Sequence, residues 1–212
     1  MAQLHTVQGN FRSNAILAAA ELGGVQVTQQ GMAWKDIKSK QNLARNHLGQ
    51  IPTLETSEGF ITQSNAIMVY IAKTATKGNL YGSNDFEAAQ VDQWLSFSVS
   101  ELYAALSSVL CHIWGFKEAS EEQIKEATTK YEALLKFLNE GVLAKNQYLV
   151  GSGVTIADLQ LHSVLVYAFR CVFTQKQREQ FANVTAWFER ISAVSAVQNQ
   201  FGVNRYPAQS WI

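Results

Sequence analysis

The sequence predicts a chain in two parts: an α/β unit over residues 1–76, then an all-helical unit over residues 85–212. Three observations carry this. Short apolar or alternating runs, bounded by glycine and polar turns, occupy the first third. A polar stretch from Lys73 to Asn84, with Gly78 and Gly82, separates the parts. Beyond Asp85 the apolar positions recur every three or four residues, the helical period. With 212 residues, 47% of them hydrophobic, the chain can bury a substantial core.

Taken in order, Gln3 to Val7 reads as a strand. The polar run Asn10-Phe11-Arg12-Ser13 leads into NAILAAAEL, rich in the best helix formers and stopped by Gly23-Gly24. Ser13 is a candidate cap for that helix. Val25 to Thr28 alternates, as a half-buried strand does. Gly31 to Asn46 is polar and basic, a loop with a short helix that carries no functional signal. Pro52 cannot donate to a ladder, so it belongs at a strand's first residue or at a bend. Two strands follow, joined by a tight Glu58-Gly59 turn. Ser64 is placed to cap a helix carrying Ala66, Ile67, Val69, Tyr70 and Ile71. The order β-α-β-α-β-β-α is that of a thioredoxin-like unit.

The second part opens at Asp85, a candidate cap, with a long helix to about Ile113. Its apolar positions include Val91, Trp94, Leu95, Leu102, Leu106, Val109 and Leu110. Ser120 with Gln123 forms a capping box, and Tyr131, Leu134, Leu135 and Leu138 mark the buried stripe of the helix it starts. Thr155 and Asp158 form another such box, with Val154 and Leu159 at staple spacing, which gives Asp158 a structural role. Asn183 is expected to open the last helix, with Trp187, Phe188 and Ile191.

Composition excludes several functions. Lys+Arg and Asp+Glu are 17 each, so no broad basic surface exists for direct nucleic-acid binding. Cys111 and Cys171 sit in apolar helical surroundings, no CxxC occurs, and the four histidines lack metal-ligand spacing, so no metal is expected. The N-terminus MAQLHTVQGNFR is not a secretory signal. The run from Ile156 to Phe173 contains Asp158, Gln160, His162 and Arg170, which marks a buried helix and not a membrane span. A reduced, cytoplasmic setting is expected.

The functional signal lies between Leu48 and Ala72. A cis Ile51-Pro52 bond would turn the Ile51 N–H and C=O outward. The helix start at Gln63-Ser64 presents free amides and the positive end of a dipole. Together they suit an extended, anionic, peptide-like ligand. GQIP followed by QSNAI resembles the glutathione site of the glutathione transferase fold. The resemblance implies that Ile51, before a cis Pro52, pairs with the cysteinyl backbone of glutathione. It implies that Gln63 and Ser64 hold the γ-glutamyl carboxylate, and that Gln50 lies toward the glycyl end. Glutathione is thus the expected ligand or substrate, with no other cofactor.

Such enzymes lower a thiol pKa of about 8.5 by about two units, which takes roughly 2.7 kcal/mol of thiolate stabilisation. The resemblance implies a Tyr, Ser or Cys donor near the first helix. The stretch Thr6 to Ser13 has no Tyr and no Cys, and Val7 stands where a tyrosine would be expected. Asn10, Ser13 and Arg12 are the catalytic candidates left, with Gln8 a further amide. Further stretches, LHT…NFR…ILAAAELGG, QWLSFSVSEL, YLVGSGVTIADL and FANVTAWFERI, are similar to the translation-associated branch of the fold: the glutathione-transferase-like domains of the elongation factor 1 gamma subunit and of multi-aminoacyl-tRNA-synthetase complex proteins. That implies an interaction module whose partners are elongation factor or aminoacyl-tRNA synthetase complex subunits, in a homodimer or heterodimer. The gamma subunit continues into a second domain, whereas this chain stops at Trp211-Ile212, so a module or a short relative is expected. The alternative is an active cytosolic transferase conjugating glutathione to electrophiles.

Overall fold

The first part of the computed structural model is organised on a four-stranded sheet. Residues 2–210 are described; Met1, Trp211 and Ile212, at the outer bounds of the two expected units, lie outside the described residues. Strand β1 (Ala2–Thr6) leads into α1 (Phe11–Gly23), which returns to β2 (Val27–Gly31), parallel to β1. A 3-10 turn (Trp34–Asp36) and α2 (Lys40–Arg45) lead to β3 (Thr53–Thr56), antiparallel to β1, and β4 (Gly59–Thr62) pairs with β3. The sheet order is β2-β1-β3-β4, and α3 (Ser64–Thr74) completes a thioredoxin-like unit. Alternation along the strands sends Leu4 and Leu54, both fully buried, into one core with Ile16 of α1 and Ile67 and Ile71 of α3.

The second part is all helical. A continuous rod runs through α4 (Asp85–Phe97), a π-helical stretch (Ser98–Tyr103) and α5 (Ala104–Ile113). Its 29 residues would suit a bilayer by length and composition, yet Val91, Leu95, Leu102, Leu106 and Val109 all lie in the helical core. Then come α6 (Glu121–Lys136), a π-helical stretch (Phe137–Val142), α7 (Ile156–Cys171), α8 (Gln175–Gln180), α9 (Ala182–Ser192) and α10 (Ser195–Phe201). Helix α7 is the axis of the core: residues from Ile156 to Val166 are all buried. The halves meet along α1, which packs on α7 and α10. Tyr167 Oη donates to the Gly9 carbonyl at 3.1 Å, and Asn65 Nδ2 to the Leu95 carbonyl at 3.0 Å.

Local physics moves several expected boundaries. Strand β2 starts at Val27, not Val25, because the end of α1 consumes the intervening residues. Gly24 adopts φ +67°, and the Val25 N–H closes back on the Ala20 carbonyl at 2.8 Å. Asn10, not Ser13, caps α1: its Oδ1 accepts from the Arg12 and Ser13 amides at 3.1 and 3.2 Å. Ser64 is the first residue inside α3, and Gln63 is the cap position, because the Gln63 carbonyl already accepts from the Ile67 N–H at 3.0 Å. Asn84, not Asp85, caps α4, accepting from Glu87 N–H at 3.0 Å. The helix read at Asn183 starts at Ala182 and is not the last, since α10 follows and docks on α1 through Asn14 Nδ2 and the Gln200 carbonyl at 2.9 Å. The Ser120–Gln123 box is present, as is the Thr155–Asp158 pair.

Two features of the packing have measurable consequences. A Cβ at Gly23 would sit 2.8 Å from the Ala75 Cβ, where the ends of α1 and α3 touch. Gly23→Ala should therefore lower the unfolding free energy by about 1–3 kcal/mol, read from a urea midpoint, despite alanine's better helix propensity.

His162 is the second. It stacks on Phe188 at 4.6 Å, meets Ser192 Oγ at 2.8 Å and is fully buried. Burial first, and the nearby Arg170 cation second, push its pKa down from 6.5 to about 3. The folded state thus refuses a proton that the unfolded chain accepts below about pH 6.5. Stability is full above that pH and is lost as pH falls toward 3, by about 1.4 kcal/mol per unit. Asp158, whose buried carboxyl is pushed upward by desolvation, works in the opposite sense. Denaturant midpoints between pH 7 and 4 should fall more steeply in the native sequence than in His162→Phe.

Candidate functional site

A cleft of about 560 Å³ opens where the β3 approach, the start of α1 and the start of α3 meet the rod of the helical half. One wall is the loop before β3. Its shape follows from side-chain amides: Asn46 Nδ2 donates to the Gln50 carbonyl at 3.1 Å, and Asn42 Nδ2 reaches the same oxygen at 3.5 Å. Lys38 Nζ holds the Leu48 carbonyl at 2.9 Å. Gly49, at φ +56°, brings the turn so close to Lys38 that a Cβ would meet its Cδ at 2.8 Å. The chain then passes Ile51 and a cis Pro52 into β3. Gln50, Ile51 and Pro52 all line the cleft.

The opposite wall is the start of α3. Gln63 has φ +67° and ψ 118°, the one non-glycine with positive φ among the described residues. Backbone held in a sparsely populated region clusters at ligand-binding positions. Gln63 and Ser64 both line the cleft. Ser64 is largely buried, at 8% exposure, yet its hydroxyl makes no hydrogen bond within the described residues. It stands beside the unsatisfied amides of the first turn, which carry the positive end of the helix dipole.

The third side comes from α1. Asn10 and Arg12 line the cleft. The Asn10 oxygen is committed to the cap, so its amide NH₂ is the group left to donate outward. Arg12 is the one charged side chain among the lining residues. Its guanidinium lies 4.5 Å from the ring centres of both Phe11 and Tyr103. Ser13 does not line the cleft. It is 1% exposed, and its hydroxyl is 2.5 Å from Thr6 Oγ1 and 3.3 Å from Asn10 Oδ1. Val7 is buried as well, at 6%.

Arg12 and the α3 dipole give the cleft a positive field with no carboxylate lining it. That field favours an anion in the cleft that Ile51 and Ser64 both line. The lining contains no Tyr, Cys or His. At the starts of α1 and α3 the groups able to stabilise a thiolate are the Asn10 amide, the Ser64 hydroxyl and the Arg12 charge. Among the described residues no group of three or more His, Cys, Asp or Glu could hold a metal.

Other lining residues were not foreseen. Trp34, Ile37 and Asn46 come from the segment that carried no functional signal, and Val99 comes from the helical half, on the π-helical stretch. They are contributed by tertiary approach, and no local pattern marks them.

The chain matches the family model of the glutathione S-transferase N-terminal domain over residues 2–73, and that of the C-terminal domain over residues 98–194. It is 30% identical over 209 residues to the glutathione S-transferase-like protein FUS3 of Gibberella moniliformis, covering 94% of this chain and 91% of that protein. It is 34% identical over 190 residues to elongation factor 1-gamma 1 of Oryza sativa subsp. japonica, covering 87% of this chain and 44% of that one. The chain thus spans about half the length of the elongation factor relatives it matches. Among solved structures it superposes on the GST-like domain of elongation factor 1-gamma from Saccharomyces cerevisiae with a TM-score of 0.86 at 18% identity, covering 100% of this chain and 97% of that one. A likeness at that identity shows the fold.

Proposed function

Since the chain belongs to the glutathione S-transferase family, we propose that it is a glutathione-transferase-like interaction module of the translation machinery that keeps a glutathione-binding cleft. The observation that carries the ligand is the unpartnered Ser64 hydroxyl at the first turn of α3, facing a cleft whose one charged side chain is Arg12. In this reading Gln63 and Ser64 hold the γ-glutamyl carboxylate. The Ile51 backbone pairs with the cysteinyl residue, Pro52 shapes that edge, and Gln50 lies toward the glycyl end. The relation to elongation factor 1-gamma supports the translation setting. Partners are subunits of an elongation factor or aminoacyl-tRNA synthetase complex, held on the helical faces. A dimer between the first part of one chain and the Asp85–Ile113 rod of another belongs to the same reading, as does a cytoplasmic location.

A second reading is an active transferase that conjugates glutathione to electrophiles. It is favoured by Asn10 and Arg12 lining the same cleft as Ser64, and by similarity to FUS3 along 91% of that protein. There the Asn10 amide donates to the bound thiol and Arg12 adds a positive field.

Retention on immobilised glutathione, turnover of a chlorodinitrobenzene-type electrophile and co-purification with an elongation-factor or synthetase subunit test these readings. Retention and co-purification with negligible turnover are expected. Rapid turnover with no translation partner would replace the first reading by the second. Neither retention nor turnover would remove glutathione from both.

A further inference from the structure

The sheet leaves the β2 edge open. Among the described residues, β2 pairs with β1 and with no other strand. The Met32 N–H, just past its end, bonds to the Thr6 carbonyl at 2.8 Å. In a parallel ladder, alternate residues turn both N–H and C=O to the neighbour. Residues 28, 30 and 32 therefore face β1, and Val27, Gln29 and Gly31 turn their backbone groups outward. Residues 28–31 are all exposed, and a Cβ at Gly31 would meet nothing within 4 Å. Sheet edges are commonly guarded by lysine, proline, an inward charge or a covering loop. The strand, VTQQG, carries no charge and no proline.

A polar cavity of about 780 Å³ lies beside that edge, on the face of the sheet away from the Leu4 and Leu54 side chains. The register sets Gln3 against Glu55 and His5 against Gln30, so all four share this face. His5 Nε2 and Glu55 Oε2 are 2.6 Å apart across it. Asp36 and Arg45 also line the cavity, whose wall thus runs from β2 to α2. Arg45 has no ion-pair partner among the described residues. Residues 31–47 carry Lys35, Lys38, Lys40 and Arg45 against Asp36 alone, so the field along this rim is positive.

We propose that the outer edge of β2 binds an acidic, extended segment of a partner protein as a fifth strand. The outward groups of Val27, Gln29 and Gly31 supply the main-chain bonds. A strand added there sends alternate side chains to the cavity face, where Arg45 takes a carboxylate. A second copy fits this edge poorly, because about a two-fold axis the same basic segments would approach one another. The inference rests on neither the glutathione nor the translation reading. No residue of β2 lines the Ser64 cleft, and the translation partners were placed on helical faces.

The probe is a blocked heptapeptide of alternating valine and glutamate, titrated onto the full chain at low salt, with amide hydrogen exchange read residue by residue. Exchange at Gln29 and Gly31 should slow by about tenfold or more at saturation, while Gln30, which faces β1, changes little. N-methylating the valine amides and the glutamate amides in turn should give opposite results: one set abolishes binding and the other spares it. Lysine in place of glutamate should weaken binding about three- to tenfold, and Arg45→Gln should remove most of that preference. Gln29→Pro, which removes an outward donor and no bond to β1, should abolish binding. No binding at millimolar peptide, or binding without slowed exchange at Gln29 and Gly31, would overturn the proposal, and neither result needs a variant to fold. Slowed exchange at those two amides on raising the protein concentration alone would assign the edge to a second copy and overturn it as well. Peptide binding by a chain that retains no glutathione would leave this inference standing and remove the glutathione reading. Glutathione retention with no peptide binding would do the reverse.

Discussion

Replacing Asp158 by alanine is expected to lower the unfolding free energy by about 3–5 kcal/mol. The carboxylate is fully buried at the start of α7 and accepts four hydrogen bonds. Its Oδ1 takes the Leu149 amide at 3.0 Å and Trp187 Nε1 at 2.9 Å. Its Oδ2 takes the Thr155 amide and hydroxyl, both at 3.1 Å. One side chain thus ties the start of α7 to the preceding loop and to α9. Alanine leaves buried donors on Leu149, Thr155 and Trp187 without acceptors, at about 1–3 kcal/mol each before relaxation. Asp158→Asn keeps one acceptor but points an NH₂ at a donor, so its cost should be smaller yet well above zero. Urea unfolding, followed by the near-ultraviolet signal of the aromatic side chains, gives both values. A loss below about 1 kcal/mol for the alanine variant would mean that water replaces the carboxylate at no cost, against the full burial of the site.

Ser64→Ala should weaken glutathione binding by about 10- to 100-fold, a loss of about 1.5–3 kcal/mol, the usual worth of a hydrogen bond to a charged group. Stability should change little. Gln63 occupies the cap position of α3, and no hydrogen bond within the described residues is lost with the Ser64 hydroxyl. The helix dipole and first-turn amides survive the substitution, so binding should weaken and not vanish. Calorimetric titration with glutathione, beside a urea curve, separates the two effects. Unchanged affinity would place the anion elsewhere on the chain.

The sheet unit and the helical unit were legible because their signals are local. Period-two runs, glycine stops and the Thr155–Asp158 box act over a few residues and survive any packing. Boundaries failed where two local signals competed for one residue. Gly24 and Val25 could end α1 or begin β2, and the Val25 N–H bond to Ala20 decided for the helix. Ser64 carries the side chain of a cap, but the backbone at Gln63, φ +67°, took that position.

The sequence by itself determined two walls of the cleft, the GQIP loop and the Gln63-Ser64 helix start, each defined by short-range backbone chemistry. Only the tertiary structure decided what shares a cleft with them. Arg12 is a catalytic candidate in sequence only by its place near the first helix, and becomes a stacked cation with no side-chain hydrogen bond among the described residues because Phe11 and Tyr103, from opposite halves, close on it. Trp34 and Val99 line the same space from the sheet part and the helical part. The physical reason is range: capping and alternation act over a few residues, whereas a binding wall is set by which faces the core forces together.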